Sequence, residues 1–77
     1  MDDFSKILEL YSDYGPISEK DGHYEMALEF WCDRDPLCRR MRRKFPRWKF
    51  KAGSEWDWTG IGKIAMIFMF PPKEETL

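Results

Sequence analysis

An Asp-Gly pair at positions 21 and 22 is the feature that most constrains how this chain folds. Asp-Gly favours the two-residue turn of a β-hairpin, because both central positions of that turn require a positive φ angle. A two-residue turn here pairs Ile17 with Met26, which places two apolar side chains opposite each other on one face. The sequence therefore predicts an antiparallel hairpin whose first strand spans about residues 16–20.

The segment that follows the turn alternates between apolar and polar residues, which is typical of a half-buried strand. We expect this strand to span residues 23–32. The face directed to the core would carry Tyr24, Met26, Leu28, Phe30 and Cys32. The solvated face would carry His23, Glu25, Ala27, Glu29 and Trp31.

Two segments have the periodicity of amphipathic helices. The first covers residues 2–14, with Asp2 or Asp3 as its N-cap and Gly15-Pro16 as its end. The second begins near Asp33 or Asp35 and ends at Pro46. Its apolar side consists of Leu37, Cys38, Met41 and Phe45, and its opposite side consists of Arg39, Arg40, Arg42 and Arg43.

Residues 47–52 alternate again, with Trp48, Phe50 and Ala52 directed inward and Arg47, Lys49 and Lys51 directed outward. We expect a three-residue loop at 53–55, because it would place Phe50 opposite Trp58 across two strands. Trp56 is also assigned to the core.

The last strand, residues 63–70, is apolar on both faces. We assign Met66 and Phe68 to the core. Ile67 and Met69, with Ala65, then form a candidate exposed apolar patch, and such patches mark interfaces.

Together these elements predict an α+β fold, with an antiparallel sheet of four to five strands and two helices packed on one face. The order would be α-β-β-α-β-β-β. With 77 residues the chain has the length of one domain, which we place at residues 1–72, followed by a mobile tail at 73–77.

The sequence offers little for catalysis or metal binding, and we expect neither an enzyme nor a cofactor. His23 is the single histidine, and no nucleophile elbow, phosphate-binding loop or dinucleotide fingerprint is present. Cys32 and Cys38 do not have the paired spacing of a zinc site, and two cysteines do not make a disulfide framework. No apolar run approaches membrane-spanning length, and the acidic start does not resemble a signal peptide, so we expect a cytoplasmic protein that is not bound to a membrane.

Charge is segregated along the chain, although the net charge is only −1. Residues 34–51 hold nine of the thirteen basic residues and a single acid, Asp35. Arginine favours bidentate contacts with carboxylate or phosphate. The candidate binding residues are therefore Arg39, Arg40, Arg42, Arg43, Arg47, Lys49 and Lys51, with Trp31 as an outward aromatic anchor. The alternative is an ordinary solvated surface, in which the strand cations are neutralised by Glu25, Glu29, Glu55 and Asp57.

Three functional hypotheses follow from this pattern. The first is a binding module that docks on the acidic surface of a protein partner; its general profile is similar to small stand-alone phage or mobile-element inhibitors of host enzymes or defence complexes. The second is a nucleic-acid-binding domain that uses the basic helix and strand at 34–51, although an isoelectric point near 5.8 disfavours it. The third is a self-associating structural protein that uses Ile67 and Met69. The sequence leaves both monomer and homodimer open.

Overall fold

The computed structural model describes residues 2–57 and 62–73 of the chain. In these ranges the chain forms two α-helices and four β-strands, so the expected α+β class is confirmed. The elements are α1 (Asp3–Tyr11), β1 (Ile17–Lys20), β2 (His23–Ala27), α2 (Arg34–Lys44), β3 (Lys49–Trp56) and β4 (Lys63–Phe70). Short 3₁₀ turns cover Ser12–Tyr14 and Trp31–Asp33. All but the first residue of the expected tail at 73–77 lie outside the described ranges.

Helix α1 begins where the sequence predicts. The Asp2 carboxylate accepts a hydrogen bond from the Ser5 backbone N–H at 2.9 Å, which satisfies one free donor of the first turn. That hydrogen bond lowers the pKa of Asp2 below its ordinary value. The final turn tightens into the 3₁₀ turn at Ser12–Tyr14 before Gly15.

The sheet is antiparallel, with the strand order β1-β2-β4-β3. The expected hairpin is confirmed, since Ile17 lies opposite Met26. Asp21 and Gly22 adopt φ angles of 45° and 88°, as the tight turn requires. Strand β3 lies at one edge of the sheet, and β4 lies in the centre.

Both helices pack on one face of the sheet, and β4 presents to them the face that the sequence analysis assigned to solvent. Ala65, Ile67 and Met69 are fully buried there, so the expected exposed apolar patch is wrong. Met66 and Phe68 lie on the opposite face; Met66 is buried there, as its assignment to the core requires, whereas Phe68 is half-buried. Because β4 is apolar on both faces, its own pattern cannot choose between them. The neighbours decide, since Ile67 lies between Met26 of β2 and Ala52 of β3.

Strand β3 runs through the segment where a loop was expected. It continues past Gly53 to Trp56, and Phe50 pairs with Met69 of β4. Gly53 serves packing rather than a turn, because a Cβ at this position would lie 2.5 Å from a ring carbon of Phe68. The expected pairing of Phe50 with Trp58 is therefore wrong. Trp58 itself lies outside the described residues.

Strand β2 is shorter than expected and ends at Ala27. Backbone hydrogen bonds continue for two more residues: the Leu28 N–H donates to the Ala65 carbonyl at 2.8 Å, and the Glu29 N–H donates to the Tyr14 carbonyl at 3.1 Å. The chain then leaves the sheet for the 3₁₀ turn before α2. Phe30 and Cys32, which were assigned to the core face of the expected strand, are therefore exposed. Trp56, which was also assigned to the core, is exposed at the end of β3.

Helix α2 matches its predicted position. Pro36 lies in the first turn, where its missing N–H has no helical partner to lose. The helix ends as the Phe45 N–H donates to the Met41 carbonyl at 2.9 Å, just before Pro46. The expected apolar side is buried in the core, namely Leu37, Cys38, Met41 and Phe45.

Candidate functional site

The basic residues of α2 divide between two surfaces. Arg39, Arg40 and Arg43 are exposed on the side of the helix opposite its buried stripe. Arg40 and Arg43, with Lys44, border a shallow depression of about 290 Å³ that contains Tyr11. Burial raises the pKa of Tyr11, although the nearby positive charge of Arg40 opposes the shift. Tyr11 therefore stays a neutral phenol near neutral pH.

Arg42 is directed toward strand β3. Its Nε and Nη2 atoms donate to the Phe50 carbonyl oxygen at 3.1 and 2.9 Å. Arg34 makes a similar link, because its Nη1 donates to the Gly53 carbonyl at 2.9 Å. Both arginines thus join α2 to the backbone of the edge strand.

An open groove of about 650 Å³ lies along strand β3, and we call it the β3-edge groove. Its basic residues are Arg42, Lys49 and Lys51. Its apolar residues are Pro46, Trp48, Phe50 and Phe70. Trp48 and Phe50 are buried and their rings stack with centroids 6.2 Å apart, so the base of the groove is part of the core. The structure thus brings three of the predicted binding residues together over an apolar base.

The cations of the groove have no acidic partner in the parts of the chain that the structure describes. The ion pairs found there are Lys20–Glu25 and Arg34–Asp35, and the His23 imidazole lies within hydrogen-bonding distance of Glu25. Glu25, which the alternative interpretation used to neutralise the strand cations, is buried, and its carboxylate lies 3.0 Å from His23 Nε2. The positive charge at the groove is therefore available to a ligand.

Arg47 does not join the outward stripe that the sequence predicts. Strand β3 begins at Lys49, so Arg47 lies in the preceding turn. It borders a separate depression of about 500 Å³ that also contains Asp2 and Asp3. Its surroundings are consequently mixed in charge, unlike those of the β3-edge groove.

Trp31 is exposed as expected, but it belongs to the 3₁₀ turn before α2 rather than to β2. Its side chain is 48% exposed, and its Nε1 donates to the Lys63 carbonyl at 3.2 Å. The Arg34 guanidinium lies over the indole ring, 5.3 Å from the ring centroid. Lys63 and Phe70 are the two ends of β4, so Trp31 and the β3-edge groove are at opposite ends of the sheet.

Sequence reasoning missed Phe68 and Phe70, which lie on the sheet face away from the helices. Phe70 is 38% exposed, and the His23 ring stacks on it with the centroids 5.1 Å apart. The signal for this face was Gly53, since a glycine in a strand marks a place where a neighbour approaches closely. The open face thus carries aromatic rings next to Lys49 and Lys51.

Residues 2–57 and 62–73 offer little support for a metal site, a reactive thiol or a membrane-spanning helix. No group of three or more His, Cys, Asp or Glu side chains is placed there to hold a metal ion. Burial raises the pKa of the Cys38 thiol, which leaves it protonated near neutral pH. Neither described helix is long and apolar enough to cross a membrane.

Comparisons with family models, with curated proteins and with solved structures found no match to this chain.

Proposed function

We propose that this chain is a small non-catalytic module that docks on an acidic surface of a protein partner. The observation that carries the proposal is the β3-edge groove, where Arg42, Lys49 and Lys51 surround an apolar base without acidic partners among the described residues. The proposed function is of the same type as that of stand-alone phage or mobile-element inhibitors, which bind a surface of a host enzyme or defence complex.

The composition of the groove supports a protein interface. Such interfaces combine a well-packed apolar centre with a polar rim, and aromatic residues and arginine contribute most of their binding energy. Pro46 and Phe70, with the edges of Trp48 and Phe50 that line the groove, supply the apolar centre, and the exposed lysines supply the rim. Arg39, Arg40 and Arg43 form a second positive surface on α2, which favours approach by an acidic partner.

The arginine face of α2 provides the first test. In the variant Arg39→Ala/Arg40→Ala/Arg43→Ala, we expect retention of a protein partner from lysate to fall about tenfold or more, since hot-spot arginines each contribute over about 1 kcal/mol. The melting temperature should stay close to the wild-type value, because these side chains are exposed. Quantitative affinity capture and thermal unfolding measure the two effects.

A matched variant controls for net charge. Lys6→Glu/Lys73→Ala lowers the net charge by the same amount on exposed residues outside α2, and it should retain the partner. Equal retention by the arginine variant would remove the helix face from the docking surface. Equal loss in both variants would show that net charge alone governs capture.

A nucleic-acid-binding domain is the second candidate, because the open sheet face carries Phe68 and Phe70 beside Lys49 and Lys51. Aromatic residues with nearby cations can stack and neutralise single-stranded nucleic acid. That function requires affinity that falls steeply with salt, because phosphate contacts release counterions. Titration with single-stranded and double-stranded oligonucleotides at about 50 mM salt and above decides the matter. Absence of binding at low salt excludes this candidate.

Self-association is not proposed. Its basis was an exposed patch formed by Ile67 and Met69, and both side chains are buried under the helices.

A further inference from the structure

The β3-edge groove has a direction and a spacing, which together indicate what kind of segment fits it. Strand β3 is the last strand of the sheet, so the groove runs along an edge that no other described strand covers. Residues alternate across this edge: Lys49 and Lys51 face the open side, while Trp48 and Phe50 face the helices. A ligand lying along the edge therefore meets the two lysines on the open side, and apolar surface next to Arg42 on the helix side.

An extended peptide has the same repeat as the strand. Neighbouring residues of a strand rise about 3.3 Å, so Lys49 and Lys51 are separated by about 6.6 Å along β3. Acidic residues at positions i and i+2 of an extended segment have this same separation and point to the same side. The residue between them points to the opposite side, toward Trp48 and Phe50.

Arg42 adds a positioned donor on the helix side of the groove. Its Nε and Nη2 are held by the Phe50 carbonyl, and its Nη1 makes no hydrogen bond with any residue the structure describes. A guanidinium has five N–H hydrogens, so donors remain for a carboxylate. Because Arg42 is already fixed, less side-chain entropy is lost when it binds.

The same geometry disfavours a nucleic acid in this groove. The ring of Trp48 stacks between Tyr24 and Phe50, with centroids at 6.0 and 6.2 Å, and it is buried. The ring of Phe70 is stacked by His23. Trp48 and Phe50 therefore offer no free ring face, and His23 covers one face of Phe70, whereas base stacking needs free ring faces.

We infer that the β3-edge groove binds an extended segment of the protein partner in which acidic side chains alternate with apolar ones. This inference rests on the proposed docking function and names the class of segment recognised. The acidic residues pair with Lys49 and Lys51, and the apolar residue between them packs on the edges of Trp48 and Phe50 that line the groove. The segment lies beside β3 without taking the Phe50 carbonyl from Arg42.

A random dodecamer peptide library selected on the immobilised domain tests the inference without knowledge of the partner. We expect the selected peptides to share acidic residues at positions i and i+2 with an aliphatic or aromatic residue between them. Affinity for a synthetic consensus peptide should fall about five- to tenfold in Lys49→Ala/Lys51→Ala, since two partly exposed ion pairs are lost. Lys6→Glu, which changes the net charge by the same amount, should bind the peptide as the wild type does.

Several outcomes would overturn the inference. The selected peptides could lack the alternating pattern, or binding could depend on Arg39, Arg40 and Arg43 instead of the two lysines. Sedimentation could also show a dimer that Lys49→Ala/Lys51→Ala dissociates, which would assign the groove to a second copy of the chain. If partner capture survives in the lysine variant, the groove assignment fails while the docking function stands. If oligonucleotides but no peptides bind through these lysines, the docking function fails as well.

Discussion

Replacing Met69 with alanine is expected to lower the free energy of unfolding by about 2–5 kcal/mol. Met69 is fully buried under the helices, so the truncation removes apolar contacts and leaves a cavity in the core. The adjacent substitution, Phe70→Ala, should cost about 1 kcal/mol, because Phe70 lies on the open face and is 38% exposed. Urea unfolding of the two variants measures the contrast.

This comparison tests which face of β4 is covered. The two residues are neighbours in β4, and their side chains lie on opposite faces of the sheet. For a domain of this size, a change of 1 kcal/mol shifts the melting temperature by about 4–8 °C, so the expected difference is easily resolved. A larger loss for Phe70→Ala than for Met69→Ala would reverse the faces of the sheet and remove Phe70 from the β3-edge groove.

Gly15→Ala is expected to destabilise the domain by about 3 kcal/mol or more. A Cβ at Gly15 would overlap the backbone carbonyl of Ala27, and a backbone atom cannot rotate away as a side chain can. Relief requires the connection between α1 and β1 to move. That movement would strain the hydrogen bond that the Ala27 N–H donates to the Pro16 carbonyl oxygen, with an N···O distance of 3.0 Å.

Gly22→Ala is the matched control for this prediction. A Cβ there meets nothing within 4 Å, and the cost comes from the φ angle of 88°, which is worth about 1–2 kcal/mol. A chain of this length has a total stability of roughly 4–12 kcal/mol, so Gly15→Ala could leave much of the population unfolded. Circular dichroism during thermal and urea unfolding compares the variants. Wild-type stability in Gly15→Ala would mean that the α1–β1 connection does not approach Ala27 closely.

The sequence predicted those parts of the fold that local signals determine. The Asp21-Gly22 turn fixed the register of Ile17 against Met26, and the apolar stripe of α2 identified its buried side. Which face of β4 packs against the helices could not be predicted from β4 alone, because both of its faces are apolar. Its pairing with the neighbouring strands decides it. Gly53 was misleading for a related reason: a glycine favours a turn, but here it leaves room for the Phe68 ring in a continuous strand.

The candidate site was predictable in composition but not in arrangement. The charge pattern identified the basic segment, and Arg42, Lys49 and Lys51 come from it. Their assembly around a groove also depends on Phe70, which β4 brings beside Lys49 from a distant part of the chain. The same tertiary packing places Arg47 near acidic residues and moves Trp31 to the other end of the sheet.

The most direct test of the docking account is to replace Phe70 with the photoreactive analogue p-benzoylphenylalanine and to irradiate cells that express the protein. Phe70 lines the β3-edge groove and is partly exposed, and the analogue keeps its aromatic character. The same analogue at Glu9, which is exposed on α1, is the control. The account predicts a discrete protein adduct from position 70 that survives nuclease treatment, is absent from position 9, and is lost in Lys49→Ala/Lys51→Ala. An adduct that nuclease removes, or the same adducts from both positions, would contradict it.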